Sequence, residues 1–221
     1  VGEVSHQLRS RLTAIHIRLD ELTLHPDPEV VTEARAALDQ VDRLTSSVGD
    51  MVQMARSERS PQGTVDVRAE LVPLLADLAP SFDRAGRRLT VLPPDGPPLP
   101  ARATATRVRE ATTVLVDNAL MHGTGEVTVR LGSVGAHTVL VTVSDEGSGI
   151  SDGDAQRIFR RGYSVGDGTG VGLALARAFV EGDGGRLQLQ SRKPTTFAMF
   201  LPAAAPGTAP EAAVEREPEP R

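Results

Sequence analysis

The sequence predicts an α+β chain, a helical hairpin followed by an α/β sandwich, and three observations carry that reading. Residues 4–22 and 31–55 each repeat apolar residues at spacings of three and four, the mark of amphipathic helices. Further on, Glu126–Leu131 and Thr138–Ser144 alternate as strands around a glycine-rich turn. Two glycine turns complete the pattern. Asp145-Glu146-Gly147-Ser148-Gly149 follows a strand, and Gly168-Thr169-Gly170-Val171-Gly172 opens an apolar helical run.

The first helix has its stripe at Val4, Leu8, Leu12, Ile15, Leu19 and Leu22. His25-Pro26-Asp27-Pro28 ends it, since proline cannot continue a helix. The second carries Val31, Ala34, Leu38, Val41, Leu44 or Thr45, Val48, Met51 and Ala55. One hairpin cannot bury both stripes. A homodimer through residues 1–58 would form a four-helix bundle; the alternative is a hairpin packed on its own C-terminal domain. Ser57–Gly63 reads as a linker.

The sandwich starts with a short strand, Thr64–Val67, and a helix, Ala69–Ala85, with Leu71, Leu75 and Leu78 inward. Arg88–Leu92 reads as a strand and 93–98 as a proline-rich loop. A long helix covers Thr104–Met121, with Val108, Ala111, Leu115 and Ala119 facing a core. After the strand pair and the second glycine turn, Val171–Val180 is helical, stopped at Glu181-Gly182-Asp183-Gly184-Gly185. Arg186–Ser191 and Thr196–Leu201 form a last hairpin. The expected domains are 1–60 and 64–202, with 203–221 a disordered tail rich in Ala, Pro and Glu.

Composition narrows the function classes. The chain has 221 residues, 39% of them hydrophobic, enough for one moderate domain and a smaller module. A net charge of −5 gives no nucleic-acid footprint. With no cysteine, there is no disulfide frame and no thiolate metal site. No apolar run is long enough to span a bilayer, and no signal peptide is visible. The chain begins at Val rather than Met, which reads as a fragment.

Asp145, at a strand end beside a glycine turn, suits an acceptor for a base amine. Glycines let a backbone approach a ligand closely, and a helix N-terminus offers free N–H groups to phosphate. Asp117-Asn118 lies in the apolar end of a helix, where polar groups either satisfy nearby backbone or do chemistry. His6 lies off its helix's apolar stripe, the usual place of a surface histidine.

In order along the chain stand Ser5-His6-Gln7-Leu8-Arg9-Ser10, Asp117-Asn118-Ala119, Asp145-x-Gly147-x-Gly149, Phe159, and Gly168-x-Gly170-x-Gly172-Leu173. This order resembles the H, N, G1, F and G2 boxes of bacterial two-component sensor histidine kinases. The resemblance implies a dimerisation and phosphotransfer hairpin followed by a Bergerat-type ATPase sandwich. It implies that His6 accepts phosphate, with Gln7 and Ser10 beside it in the catalytic set. Asn118 would hold Mg²⁺ on ATP, and Asp145 would accept from the adenine amine. Gly147 and Gly149 would shape the adenine pocket. Gly168, Gly170, Gly172 and Leu173 would form the phosphate turn. Phe159 would anchor a lid over 151–168, and Thr196 would support adenine. The implied partner is a response regulator, whose aspartate takes the phosphoryl group. The implied location is the cytoplasm, with the parent protein attached to the inner membrane through a preceding region.

Four positions depart from the family's habit. Gln7 replaces an acid, Arg11 a proline, Val114 a polar residue and Met121 a basic one. Gln7 can accept a hydrogen bond but cannot act as a base, and losing a positioned base typically costs about 10²–10⁴ in rate. Arg160 or Arg161 is the expected compensating charge. The competing readings are an ATP-binding scaffold or phosphatase-dominant homologue, and an anti-sigma-type serine kinase; His6 on a hairpin argues against the last.

Overall fold

The computed structural model describes residues 2–38, 40–41, 45, 62–93, 95–160, 162–163 and 170–204. Contacts divide the chain into two compact units. One groups Val1–Ser60 with Asp152–Leu175, the other Pro61–Ser151 with Ala176–Arg221.

The first unit begins with helix α1, Gly2–Leu22. Its exit is held locally, by Thr23 Oγ1 donating to Asp20 O at 2.7 Å. Helix α2 starts at residue 28 and runs through 28–38. Asp27 Oδ1 accepts from the Glu29 N–H at 2.9 Å, and Pro28 takes the first helical position, where its missing N–H costs nothing. Ala34 and Val41 are buried, whereas Ile15 and Leu22 of the α1 stripe remain 46% and 43% exposed in the single chain. The expected stripe residues Leu44, Val48, Met51 and Ala55 lie outside the described residues. This unit also holds the short helix α5, Asp152–Ala155.

The second unit is an α/β sandwich. It contains β1 (Gly63–Asp66), α3 (Val67–Arg84), β2 (Leu89–Leu92), β3 (Pro100–Ala103) and α4 (Ala105–His122). Then follow β4 (Val127–Val134), β5 (Thr138–Asp145), most of α6 (Gly172–Gly182), β6 (Arg186–Arg192) and β7 (Thr195–Pro202). Five strands run β2-β4-β5-β7-β6, with β2 parallel to β4 and every other pair antiparallel. Strands β1 and β3 make a separate antiparallel pair.

The period of two puts Val139, Val141, Val143 and Asp145 on one face of β5, and Phe197, Met199 and Leu201 on the same face of β7. All seven are buried, as are Leu71, Leu75 and Phe82 of α3 and Val108, Ala111, Leu115 and Ala119 of α4. Burying a side chain of this size contributes about 1.5–3 kcal/mol.

Three polar clamps fix the helices. Asp66 caps α3, its Oδ1 accepting from Arg68 N at 3.0 Å and from Leu99 N at 2.9 Å. Arg68 itself donates to Pro97 O and Pro93 O, tying down the proline loop. The α4 N-terminus is capped from afar: Asp183 takes the Thr104 N–H at 2.8 Å, the Thr104 hydroxyl at 3.0 Å and Arg107 Nη1 at 2.8 Å. Strand β3 and helix α5 were not expected from the sequence. Among the described residues, no helix is long and apolar enough to cross a membrane.

Candidate nucleotide site

The site in the second unit is built where β5 ends. Asp145 is 5% exposed, and its Oδ1 accepts the Gly147 N–H at 2.7 Å. A Cβ at Gly147 would lie 2.6 Å from that same oxygen, so the turn can close on the carboxylate only as glycine. Gly149 has φ +93°, and a side chain there would run into Arg192 O. Ile150 N donates to that carbonyl at 3.0 Å, which secures the turn on the β6–β7 hairpin.

Helix α4 meets Asp145 at its C-terminus. A Cβ at Gly123 would lie 2.7 Å from both Cβ and Cγ of Asp145, so the backbone itself forms a wall of the site. Asn118 is half-buried on the last full turn of α4. Its neighbour Asp117 reaches solvent, yet partial desolvation raises its carboxyl above the ordinary aspartate value. Met121 is 68% exposed.

The register of β5 and β7 separates two threonines. Ser144 pairs with Thr196, and their hydroxyls are 2.9 Å apart. That rung lies on the face opposite Asp145, because side chains alternate along a strand. One residue further along each strand come Asp145 and Thr195, both about 5% exposed. Thr195, not Thr196, therefore shares the buried face of Asp145. Adjacent residues on a strand meet opposite faces, so the two threonines cannot serve the same site.

The remaining sequence candidates lie in the first unit. Gly170 has φ +67°, and a side chain there would strike the Tyr163 backbone. Gly162 N donates to Gly170 O at 2.9 Å. Tyr163, the chain's one tyrosine, donates its hydroxyl to Asp154, and Arg157 stands 4.4 Å from its ring centroid. The Asp154 carboxylate raises the tyrosine's pKa. Phe159 is half-buried, and Arg160 is exposed. Gly172 begins α6, with Leu173 half-buried beside it. Gly168 and Arg161 lie outside the described residues. His6, Gln7 and Ser10 fall within α1, Ser10 one turn beyond His6.

Residues 103–205 match the family of histidine kinase-, DNA gyrase B- and HSP90-like ATPases. These residues thus resemble an ATPase domain of that family. Beyond this domain, the whole chain resembles the catalytic core of a two-component sensor kinase. It is 29% identical to the sensor protein SphS of Synechococcus elongatus, over 91% of this chain and 52% of that protein. It is 32% identical to TcrY of Mycobacterium tuberculosis, named as a sensor histidine kinase, over 91% of this chain and 45% of that protein. The chain thus spans about half the length of these relatives. Among solved structures it resembles full-length ShkA in complex with AMPPNP, with a TM-score of 0.65 at 23% identity, covering 93% of this chain and 46% of that one. It also resembles the Acinetobacter baumannii histidine kinase AdeS, with a TM-score of 0.61 at 22% identity over 90% and 98% of the two chains. At these identities the structural likeness speaks for the ATPase domain's fold.

Arg87 and Asp183 went unnoticed in the sequence. Arg87 donates to two carbonyls at the end of α4 and to Gly125 O in the loop beyond, and Asp183 caps the start of the helix. Their partners lie 32 to 79 residues away, and no local pattern announces such a bond.

Proposed function

We propose that this chain is the catalytic core of a sensor histidine kinase, which transfers the γ-phosphoryl group of ATP to His6 and from there to an aspartate of a response regulator. The observation that carries the nucleotide half is the buried Asp145, held by the Gly147 amide beneath the Gly123 backbone. A carboxylate fixed this way accepts an amine donor, and adenine offers one at N6. Gly147 and Gly149 keep the turn thin enough for a flat base to approach. Thr195, on the same face as Asp145, is the hydroxyl best placed to support the base. Gly170, Gly172 and the start of α6 serve the phosphates, since a helix N-terminus supplies unpaired N–H groups. Leu173 shares that role and Phe159 is the proposed anchor of the lid; Gly168, assigned with them, lies outside the described residues.

Asn118 is the proposed Mg²⁺ ligand. Mg²⁺ prefers hard oxygen donors and keeps most of its waters, so one half-buried amide oxygen fits an ion carried by a triphosphate. Among the described residues, no group of three or more His, Asp or Glu gathers to cage a metal. When bound, the ion neutralises charge on the phosphates.

At His6, a neutral imidazole nitrogen attacks the γ-phosphorus in line. The P–N bond forms, the bond to the ADP oxygen breaks, and the ring's proton leaves to water, because Gln7 cannot take it. The regulator's aspartate then attacks the same phosphorus and releases the imidazole. Ser10, one turn on, would orient the water that hydrolyses the regulator's aspartyl phosphate to aspartate and inorganic phosphate. Residues 1–60 serve as the phosphotransfer hairpin and dimer contact, 64–202 as the ATP-binding domain and 203–221 as a tail.

A calorimetric titration with Mg-ATP tests the nucleotide assignment. Asp145→Asn and Asn118→Ala should each weaken binding by tenfold or more, which is about 1.4 kcal/mol or more. Unchanged affinity in Asp145→Asn would overturn it. A chain that binds ATP yet never labels His6 would favour the phosphatase-dominant or scaffold reading that Gln7 motivates.

A further inference from the structure

We infer that Arg87 is a positioning residue for the nucleotide site. It acts by fixing the end of α4 and the loop behind it, and so the backbone that lies on Asp145. The inference rests on the nucleotide reading above.

Arg87 Nη1 donates to Ala119 O at 2.9 Å and to Leu120 O at 2.8 Å, while Nε donates to Gly125 O at 2.9 Å. One planar group therefore grips both sides of Gly123. The last carbonyls of a helix have no partner within it, and the helix dipole favours a cation there. Only the guanidinium has donors spread in a rigid fork, so lysine cannot reproduce this grip.

Arg87 is itself well anchored. Its N–H donates to Phe82 O at 2.9 Å, closing α3, and its guanidinium stands 5.7 Å from the Phe82 ring centroid. Nη2 is buried without a partner among the described residues. The fork's orientation is thus set by the three carbonyls rather than by full pairing of its donors.

From the other side, Glu146, the residue after β5, holds the same loop. Glu146 N donates to Thr124 O at 3.1 Å, Thr124 Oγ1 donates to Glu146 O at 3.2 Å, and Glu126 N donates to Glu146 Oε2 at 3.0 Å. Between the two grips lies Gly123, against Asp145. Without Arg87 the loop loses one of its two side-chain grips and keeps on the α4 side only the Gly123 N–H to Ala119 O bond. Gly123 is then free to shift from Asp145, and the turn carrying Asn118 shifts with it. A misplacement of about 1 Å in a binding constellation can cost on the order of a hundredfold in function.

The test is calorimetric titration of the full chain with Mg-AMPPNP, below the unfolding temperature of every variant. The variants are Arg87→Met, Arg87→Lys, Arg68→Met and Asp145→Asn. Arg68→Met removes a more deeply buried arginine that ties a different loop, through Pro97 O and Pro93 O rather than through α4. Arg87→Met should weaken binding about tenfold or more, with Arg87→Lys between it and the parent. Arg68→Met should lower the unfolding temperature while leaving affinity unchanged. If Arg87→Met binds like the parent, or Arg68→Met loses as much affinity for the same loss of stability, the inference fails. If Arg87→Met does not fold, Arg87→Lys decides: parental affinity in that variant overturns the inference. If Asp145→Asn binds as tightly as the parent, the nucleotide reading itself falls, and the inference with it.

Discussion

The Ser144 and Thr196 hydroxyls stand 2.9 Å apart on the face of the sheet that turns away from Asp145. Thr195 lies on the other face, buried with Asp145. Thr195→Val should therefore weaken ATP binding about five- to tenfold, the size of one lost hydrogen bond at about 1–1.5 kcal/mol. Thr196→Val should leave affinity within about twofold and cost a little stability through the lost pair with Ser144. Parallel titrations of the two variants check this, and the reverse order would return the role to Thr196.

This pair shows how much of the site could be read in the sequence. Strands β4, β5 and β7 alternate clearly, and α4 shows its apolar stripe, so the elements carrying Asn118 and Asp145 were legible, as were Gly147 and Gly149. Which of the two adjacent threonines shares the face of Asp145 was not, since they differ only in the face they meet. Strand β3, Pro-Ala-Arg-Ala, has no β-branched or aromatic residue, and pairing with β1 and a bridge to Ala203 make it a strand. The parallel pairing of β2 with β4 also depends on tertiary context, with α4 intervening in the chain.

Gly123→Ala tests the close approach of α4 to Asp145. Its φ of −83° suits any residue, so no backbone strain arises. The added methyl would lie 2.6 Å from Ala119 O and 2.7 Å from Asp145. Overpacking of this kind costs about 1–3 kcal/mol. Urea denaturation should show that loss, and nucleotide affinity should fall as the carboxylate is displaced. Parental stability and affinity would mean that the wall yields.

Asp183 is 2% exposed and accepts three hydrogen bonds at the start of α4. Asp183→Ala leaves Arg107, Thr104 and a helix N-terminus without this partner. Breaking such a buried pair typically costs about 3–5 kcal/mol. Equilibrium urea denaturation reads the loss, and a cost below about 1 kcal/mol would show that the cap is dispensable.

Asp117 gives a pH signature. Desolvation raises its folded pKa, so the folded state binds this proton more tightly than the unfolded state does. Below the ordinary aspartate value both states are protonated, and the group is neutral in its effect. As pH rises from there to the raised folded value, the unfolded state ionises first and stability falls. Asp117→Asn should therefore gain stability relative to the parent as pH rises through that window, and hold the gain above it. Urea midpoints for both proteins across about pH 3.5–7 measure this. A stability difference that does not change with pH would contradict it.

The most direct measurement is transfer of label from γ-labelled Mg-ATP to this chain, its His6→Ala variant and its Asp145→Asn variant. The account expects acid-labile, alkali-stable label on the parent, absent from both variants. Acid-stable label that survives in His6→Ala would contradict it and mark the chain as a kinase of another acceptor.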